Sequence, residues 1–252
     1  MSNYMKLLNL NEFKGYIDSL NMTRAIKTIQ LHHTWKPNYD NFNGSNHLTM
    51  QRNMQAYHIK TNGWSDIGQH FTIFPDGKIC TGRSINSSPA GIKGANTGSI
   101  SIECVGNFDI GGDDMTAEQR DSIVAVTKIL LDRFKLKAKT GVVYHAWWTA
   151  SGTALGTYVR GKSAKTCPGT NFFGGNTKEA YLKNLMPLIE NYGKEVKKMY
   201  KTINDIPDWG KATITKLVEK GFLNGDSDGN LNLSMDMIRI FVINDRAGLY
   251  GE

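Results

Sequence analysis

Cysteine is scarce in this chain: Cys80, Cys104 and Cys167 are the only three among 252 residues. So few thiols, and an odd number of them, argue against a disulfide framework and for folding in a reducing compartment. Long apolar runs are missing as well. No stretch reaches 18 residues, so nothing reads as a membrane-spanning helix. The opening Met1-Ser-Asn-Tyr-Met-Lys-Leu-Leu lacks a charged region followed by an apolar one, and a secretory leader is not expected. No internal repeat is evident, which argues against a solenoid.

What is present is enough for a core. Apolar residues make up 40% of the chain and aromatics 10%, which excludes a disordered or low-complexity polypeptide. The formal charge is +7 and the pI about 9.2. Such a balance suits nucleic acid, an anionic membrane or an anionic cell-wall polymer, or serves solubility alone. The charge is uneven. Tyr200 to Glu252 carries six Lys/Arg against eight Asp/Glu, so the basic character lies in the first part.

Periodicity predicts strands interleaved with helices. A short amphipathic helix covers residues 8–22. Ala25 to Leu31 reads as a buried strand ending in His32-His33-Thr34, and residues 47–61 as a helix with Leu48, Met50, Met54 and Tyr57 on one face. Gln69 to Phe74 and Lys78 to Gly82 form a hairpin around Pro75-Asp-Gly77, a turn signal. Ser99 to Val105 alternates as a strand. Thr116-Ala-Glu-Gln119 has capping-box form and opens a helix carrying Ile123, Val126, Leu130 and Phe134. Gly141 to His145 is a short strand, Thr149 to Pro168 a loop, and Thr177 to Lys198 a last helix. The predicted fold class is therefore α/β, a mixed central β-sheet flanked by helices. A composition shift near Lys201 sets the expected domains at 1–199 and 200–252. The second is a small, mainly helical module with helices on Ile214, Leu217 and Val218 and from Asp236 to Asp245. So small a unit has little core of its own; it either packs on a partner, pairs with its own copy in a dimer, or is marginally stable.

Chemistry concentrates in His32, His145 and Cys167, each closing a strand or lying in a loop beside one. Two imidazoles and a thiolate suit zinc and leave a fourth tetrahedral position for water. Spacing alone does not make them a site, because a histidine beside a strand and a lone cysteine are more often structural. The absence of a His-Glu-x-x-His helix argues against a zinc peptidase of that kind.

The run Leu31-His32-His33-Thr34, then Gly63-Trp64-Ser-Asp-Ile-Gly68-Gln-His70-Phe, Pro75-Asp-Gly77, Gly82-Arg83, Tyr144-His145 and Lys165-Thr166-Cys167-Pro168 resembles the second N-acetylmuramoyl-L-alanine amidase family. That family includes phage and bacterial amidases and the animal peptidoglycan-recognition proteins. The resemblance covers roughly Ile26 to Phe173. It implies zinc held by His32, His145 and Cys167, with Lys165 assisting at the polarised carbonyl; His33 falls where the family tolerates other residues, so it reads as a supporting or an exposed side chain, not a ligand. One position departs from the pattern. Several relatives carry a catalytic Tyr immediately before the His of the Gly-x-His segment, where this chain has Gln69. An amide cannot act as a general base. Glu103 is the candidate in its place, since other members place a catalytic Glu at this strand position; a structural carboxylate paired to Arg or Lys remains the alternative. His47, His58 and His70 read as structural, and Cys80 and Cys104 as core thiols.

Ile206-Pro-Asp-Trp209, Gly221-Phe-Leu-Asn-Gly225, Asp228-Gly-Asn-Leu231 and Arg239 resemble one S-layer homology unit, a module that holds wall polymers, although Met235-Asp-Met-Ile-Arg-Ile departs from its signature. Asp226-Ser-Asp228-Gly229-Asn230 is similar to a calcium loop but has Met237 where the loop needs Glu. The expectation is a phage endolysin. Such an enzyme waits in the host cytoplasm and cleaves the muramic acid to L-alanine amide bond of bacterial peptidoglycan once released to the wall. Peptidoglycan and its associated polymers are the expected partners, with no nucleic acid and no stable membrane insertion. A non-catalytic peptidoglycan-binding protein is the alternative.

Overall fold

The computed structural model describes residues 4–194 and 199–251. The chain divides into two compact units, Met1–Tyr192 and Gly193–Glu252. The first is built on a six-stranded mixed sheet of β1 (Leu7–Leu8), β2 (Thr28–His33), β3 (Phe71–Ile73), β4 (Ile79–Thr81), β5 (Ser99–Cys104) and β6 (Val142–Tyr144), in the order β1-β4-β3-β5-β2-β6. β3, β5, β2 and β6 run parallel, while β4 lies antiparallel between β1 and β3. The helices are α1 (Leu10–Ser19), α2 (His47–Lys60), α3 (Ala117–Arg133), the single turn α4 (Ala138–Gly141), α5 (Lys178–Ala180) and α6 (Met186–Asn191), the last two joined by a π segment at Tyr181–Leu185. The mixed sheet flanked by helices is the α/β class expected from the sequence.

One face of the sheet is apolar. Ile29 and Leu31 of β2, Ile100 and Ile102 of β5, Phe71 and Ile73 of β3 and Val142 of β6 are 0–1% exposed and join one core with Ile123, Val126 and Leu130 of α3. Burying each such side chain is worth about 1.5–3 kcal/mol. The other face carries Gln30, Thr72 and Ser101, all buried.

Several boundaries differ from the sequence reading. β2 starts at Thr28, where its pairing with Ser99 begins, not at Ala25, and it ends on the histidines as expected, His32 and His33 pairing in parallel register with Glu103 and Cys104 of β5. His145 lies just past β6, in a 3-10 turn spanning His145–Trp147. The last helix starts after the Thr177 cap and ends at Asn191; its expected end at Lys198 lies outside the described residues. Tyr57 is exposed, and α2 instead buries His47, Met50, Gln51 and Met54. His47, His58 and His70 are held as structural histidines by Asp76, the Gly68 amide and the Ser101 amide respectively.

The capping box expected at Thr116 is only half present. Thr116 accepts from the Gln119 amide, but the Gln119 side chain turns into the core. There its Nε2 donates to Ile73 O at 3.0 Å and Val105 O at 2.8 Å, and its Oε1 accepts from Tyr39. The reciprocal box stands on α1, between Asn9 and Glu12.

The second unit contains β7 (Met199–Tyr200) paired with β8 (Leu233–Ser234), and helices α7 (Asp208–Glu219) and α8 (Met235–Arg246). It has its own core of Tyr200, Ile206, Ile214, Leu217, Leu233 and Ile238. Asp226 spends its carboxylate on its own turn, accepting from the Asp228 and Asn230 amides and the Asn232 side chain. No described helix is long and apolar enough to cross a membrane.

Gln119→Ala removes the side-chain donor to Val105 O, and an unsatisfied buried group costs on the order of 1–3 kcal/mol. Urea unfolding is expected to show a loss of that size. A change under about 0.5 kcal/mol, the range of ordinary surface substitutions, would contradict it.

Candidate metal centre

Paired positions on adjacent strands project from the same face of a sheet. His32 of β2 pairs with Glu103 of β5, Gln30 with Ser101, and Glu103 with Thr72 of β3. On the other side of β2, Gln30 pairs with Val143 of β6. His145 follows Val143 by two residues, so the strand's alternation carries it to that face as well. The polar face of the sheet thus places His32, Glu103 and His145 on the floor of a cleft of about 1250 Å³.

Cys167 arrives from the long loop before α5, held in place by its neighbours. Cys167 O accepts from the Ala146 amide at 2.7 Å, directly after His145. Thr166 O accepts from Asn176 at 2.7 Å, and the Thr166 hydroxyl donates to Asp109 at 3.0 Å. Asp109 also accepts from the Thr170 amide at 2.9 Å.

The donor atoms of His32, His145 and Cys167 lie within 4.8 Å of one another. His32 Nδ1 is 3.4 Å from Cys167 Sγ, and the two imidazole rings stand edge to face with centroids 5.3 Å apart. Two ring nitrogens and a sulfur at this separation fit zinc, which takes nitrogen at about 2.0–2.1 Å and thiolate at about 2.3 Å in a tetrahedron. Among the described residues this is the His/Cys/Asp/Glu group close enough to hold a metal ion.

The electrostatics agree with a cation site. Burial holds His32 well below the usual histidine pKa, with His145 and Lys165 adding to the effect. Burial and Lys165 bring His145 down to about 4. Both imidazoles are therefore neutral donors at physiological pH. Burial, reinforced by Glu103, pushes the Cys167 thiol well up. A thiolate there is costly unless a cation compensates it, which couples metal binding to release of the thiol proton.

The other expected site residues fall around this centre. Glu103 is half-buried; burial pushes its carboxyl up to about 8, opposed by the positive charge of Lys165. Lys165 is exposed and lines the same cleft. His33 projects from the opposite face of β2, where its Nδ1 accepts from the Phe108 amide at 3.1 Å. Gln69 lines the cleft but is 2% exposed, its amide donating to Thr72 Oγ1 at 2.9 Å.

Residues 22–170, more than half of the chain, match the family model described as N-acetylmuramoyl-L-alanine amidase. The chain belongs to this amidase family. Members similar to it include peptidoglycan-recognition protein SC2 of Drosophila simulans, 30% identical over 130 residues, covering 50% of this chain and 60% of that protein. The endolysin of Enterobacteria phage K11 is 32% identical over 78 residues, 30% of this chain and 51% of that protein. The chain thus spans little more than half the length of these curated amidase-family relatives. Among solved structures, the N-acetylmuramoyl-L-alanine amidase LysC from Clostridium intestinale is 26% identical with a TM-score of 0.45, covering 65% of this chain and 93% of that one.

Some residues around the centre were not singled out by the sequence reading. Asp109, Gly91 and Trp35 line the cleft: Asp109 braces the Cys167 loop, Gly91 lies against His32, and Trp35 stands 57% exposed at a left-handed φ of 57°. Gln30 is buried beneath them against His32. Gln30 carried a readable signal: it is a polar residue inside the apolar strand Ile29-Gln30-Leu31, two before His32 and so on its face. Asp109 and Gly91 carried none, because only the folded chain brings their loops to the site.

Proposed function

We propose that the first unit is a zinc-dependent amidase that hydrolyses the bond between N-acetylmuramic acid and L-alanine in bacterial peptidoglycan, as part of a phage-type endolysin. The observation that carries this reading is the convergence of His32, His145 and Cys167 beside Glu103 in one cleft. His32, His145 and Cys167 would hold the metal. Zinc, when bound, supplies Lewis acidity toward the scissile carbonyl and toward water.

The chain's own residues supply the rest. Glu103, on the strand next to His32, accepts the proton of the attacking water as the new carbon–oxygen bond forms. It then delivers that proton to the alanine nitrogen as the carbon–nitrogen bond breaks. The products are a muramic lactyl carboxylate and a free amine. Burial raises the pKa of the Glu103 carboxyl, which favours holding the proton once taken, and a bound cation would draw it back toward the ionised form that accepts one. The exposed cation of Lys165 supports the negative charge that grows on the carbonyl oxygen. Gln69, turned to Thr72, holds its strand end and takes no part in proton transfer. The likeness to recognition proteins favours a second reading, peptidoglycan binding without cleavage, which gives the three-donor set no chemical use.

Purified protein is expected to carry about one zinc per chain, and Cys167→Ser to lose both the metal and the cleavage of soluble muropeptides. Glu103→Gln is expected to keep its zinc while slowing cleavage about 10²–10⁴-fold, with Gln69→Ala far milder. Full activity in a protein lacking both His32 and Cys167 would overturn the metal mechanism, and near-normal turnover by Glu103→Gln would overturn the proton route.

The second unit, by its separate core and its resemblance to an S-layer homology unit, is proposed to hold the wall. A chain ending near Lys198 is expected to cleave soluble muropeptides normally and to sediment less with intact target walls. Undiminished wall binding would remove that role from residues 200–252.

A further inference from the structure

We infer that Gln30 is a positioning residue for His32: it fixes which ring nitrogen of His32 faces the metal centre, and Gly91 keeps the space in which it does so. One acceptor beside Gln30 cannot change role. Ala95 O is a carbonyl and can only accept. It lies 2.9 Å from the Gln30 side-chain nitrogen, and the Ser99 hydroxyl donates to it as well. The amide of Gln30 is therefore oriented with its NH2 toward Ala95 and its oxygen away. That oxygen, Oε1, lies 3.2 Å from His32 Nε2. Since Oε1 only accepts, Nε2 must carry the hydrogen. A neutral imidazole has one N–H, so Nδ1 keeps its lone pair. Nδ1 is the nitrogen that lies 3.4 Å from Cys167 Sγ. The series Ala95, Gln30, His32 thus selects the tautomer whose free lone pair points at the centre, and it fixes the ring's rotation.

The relay is buried and crowded. Gln30 is 0% exposed and His32 3%, so water competes little for the contact between them. Across from them lies Gly91. A Cβ at that position would stand 2.3 Å from Gln30 Oε1 and 3.1 Å from His32 Nε2. Its φ is not in the left-handed region, so close approach, not backbone conformation, requires glycine there. The loop that presents Ala95 is closed by Asn96 Oδ1, which accepts from the Gly91 and Ile92 amides at 3.0 and 2.9 Å. Gln is suited to this place in a way Glu is not. A carboxylate has no hydrogen for Ala95 O and would add a buried negative charge, whereas the amide donates to one side and accepts on the other.

Hydrogen-bond partners of metal-bound histidines typically change metal affinity about 10–100-fold when lost. The inference rests on the zinc reading of this centre, and two measurements keep the two apart. The first is zinc affinity by competition with a chromophoric chelator, on full-length protein. Gln30→Met, which keeps the shape and removes both hydrogen bonds, is expected to weaken zinc binding about 10–100-fold. Gly91→Ala is expected to weaken it in the same direction by displacing the amide. The double variant is expected to be no worse than the worse single one, because both act through the same contact. Gln30→Met binding zinc as tightly as wild type, or fully additive losses in the double variant, would overturn the inference. The second measurement is the tautomer of His32 in zinc-stripped wild-type protein, read from its ring-nitrogen NMR shifts. The Nε2–H form is expected, and an Nδ1–H form would overturn the inference even if every variant failed to fold. Wild-type protein that bound no zinc would sink the metal reading, while the tautomer result would still decide the role of Gln30.

Discussion

The register between β2 and its two parallel neighbours governs everything at the centre. Pairing of His32 with Glu103 sets a nitrogen donor beside a carboxylate on one face, and pairing of Gln30 with Val143 brings β6 into step so that His145 emerges on that face too. Because side chains alternate, a slip of one residue would turn His32 into the apolar core and bring Leu31 or His33 to the cleft. The apolar positions prevent this. Ile29, Leu31, Ile100 and Ile102 occupy the opposite face with no exposure, and a one-residue slip would take the slipped strand's pair out of the core. Hydrophobic burial on one side of the sheet thus fixes chemistry on the other.

The same division explains what could be read from the sequence. Helices and strands followed from periodicity, and the α/β class with them. Placing His32, Glu103, His145 and Cys167 in one site required the resemblance to an amidase family, since no spacing rule links residues spread over 135 positions. The boundaries near the site were the least legible. The strand before the site was expected from Ala25, yet β2 begins only at Thr28, because the partner strand β5 has nothing to pair with it before Ser99. The capping-box reading of Thr116 and Gln119 failed for a related reason. A glutamine three residues after a threonine fits the local motif, but two carbonyls at the ends of β3 and β5 lay within its reach, and the tertiary partners won. Asp109, Gly91 and Ala95 act from loops whose approach to the site is visible only in three dimensions.

Electrostatics would tie a bound metal to the proposed acid–base group. A buried thiol, two neutral imidazoles and a half-buried carboxyl form a centre short of positive charge, with Lys165 as the cation that each of them feels. A divalent ion would let Cys167 ionise and would draw the raised carboxyl of Glu103 downward. Metal binding and the readiness of Glu103 to accept a proton are therefore coupled. In the proposed mechanism Gln69 needs no part in proton transfer, because that step would fall to the strand that carries Glu103 and not to the segment leading into β3.

The central claim is about one bond. Mass spectrometry of purified bacterial walls digested with the zinc-loaded protein identifies that bond directly from the ends it creates. Cleavage by an amidase predicts glycan strands with free lactyl carboxylates together with stem peptides that begin with an unblocked L-alanine, and no new reducing sugar ends. Intact walls after binding, new reducing ends, or peptides cut between amino acids would contradict the account.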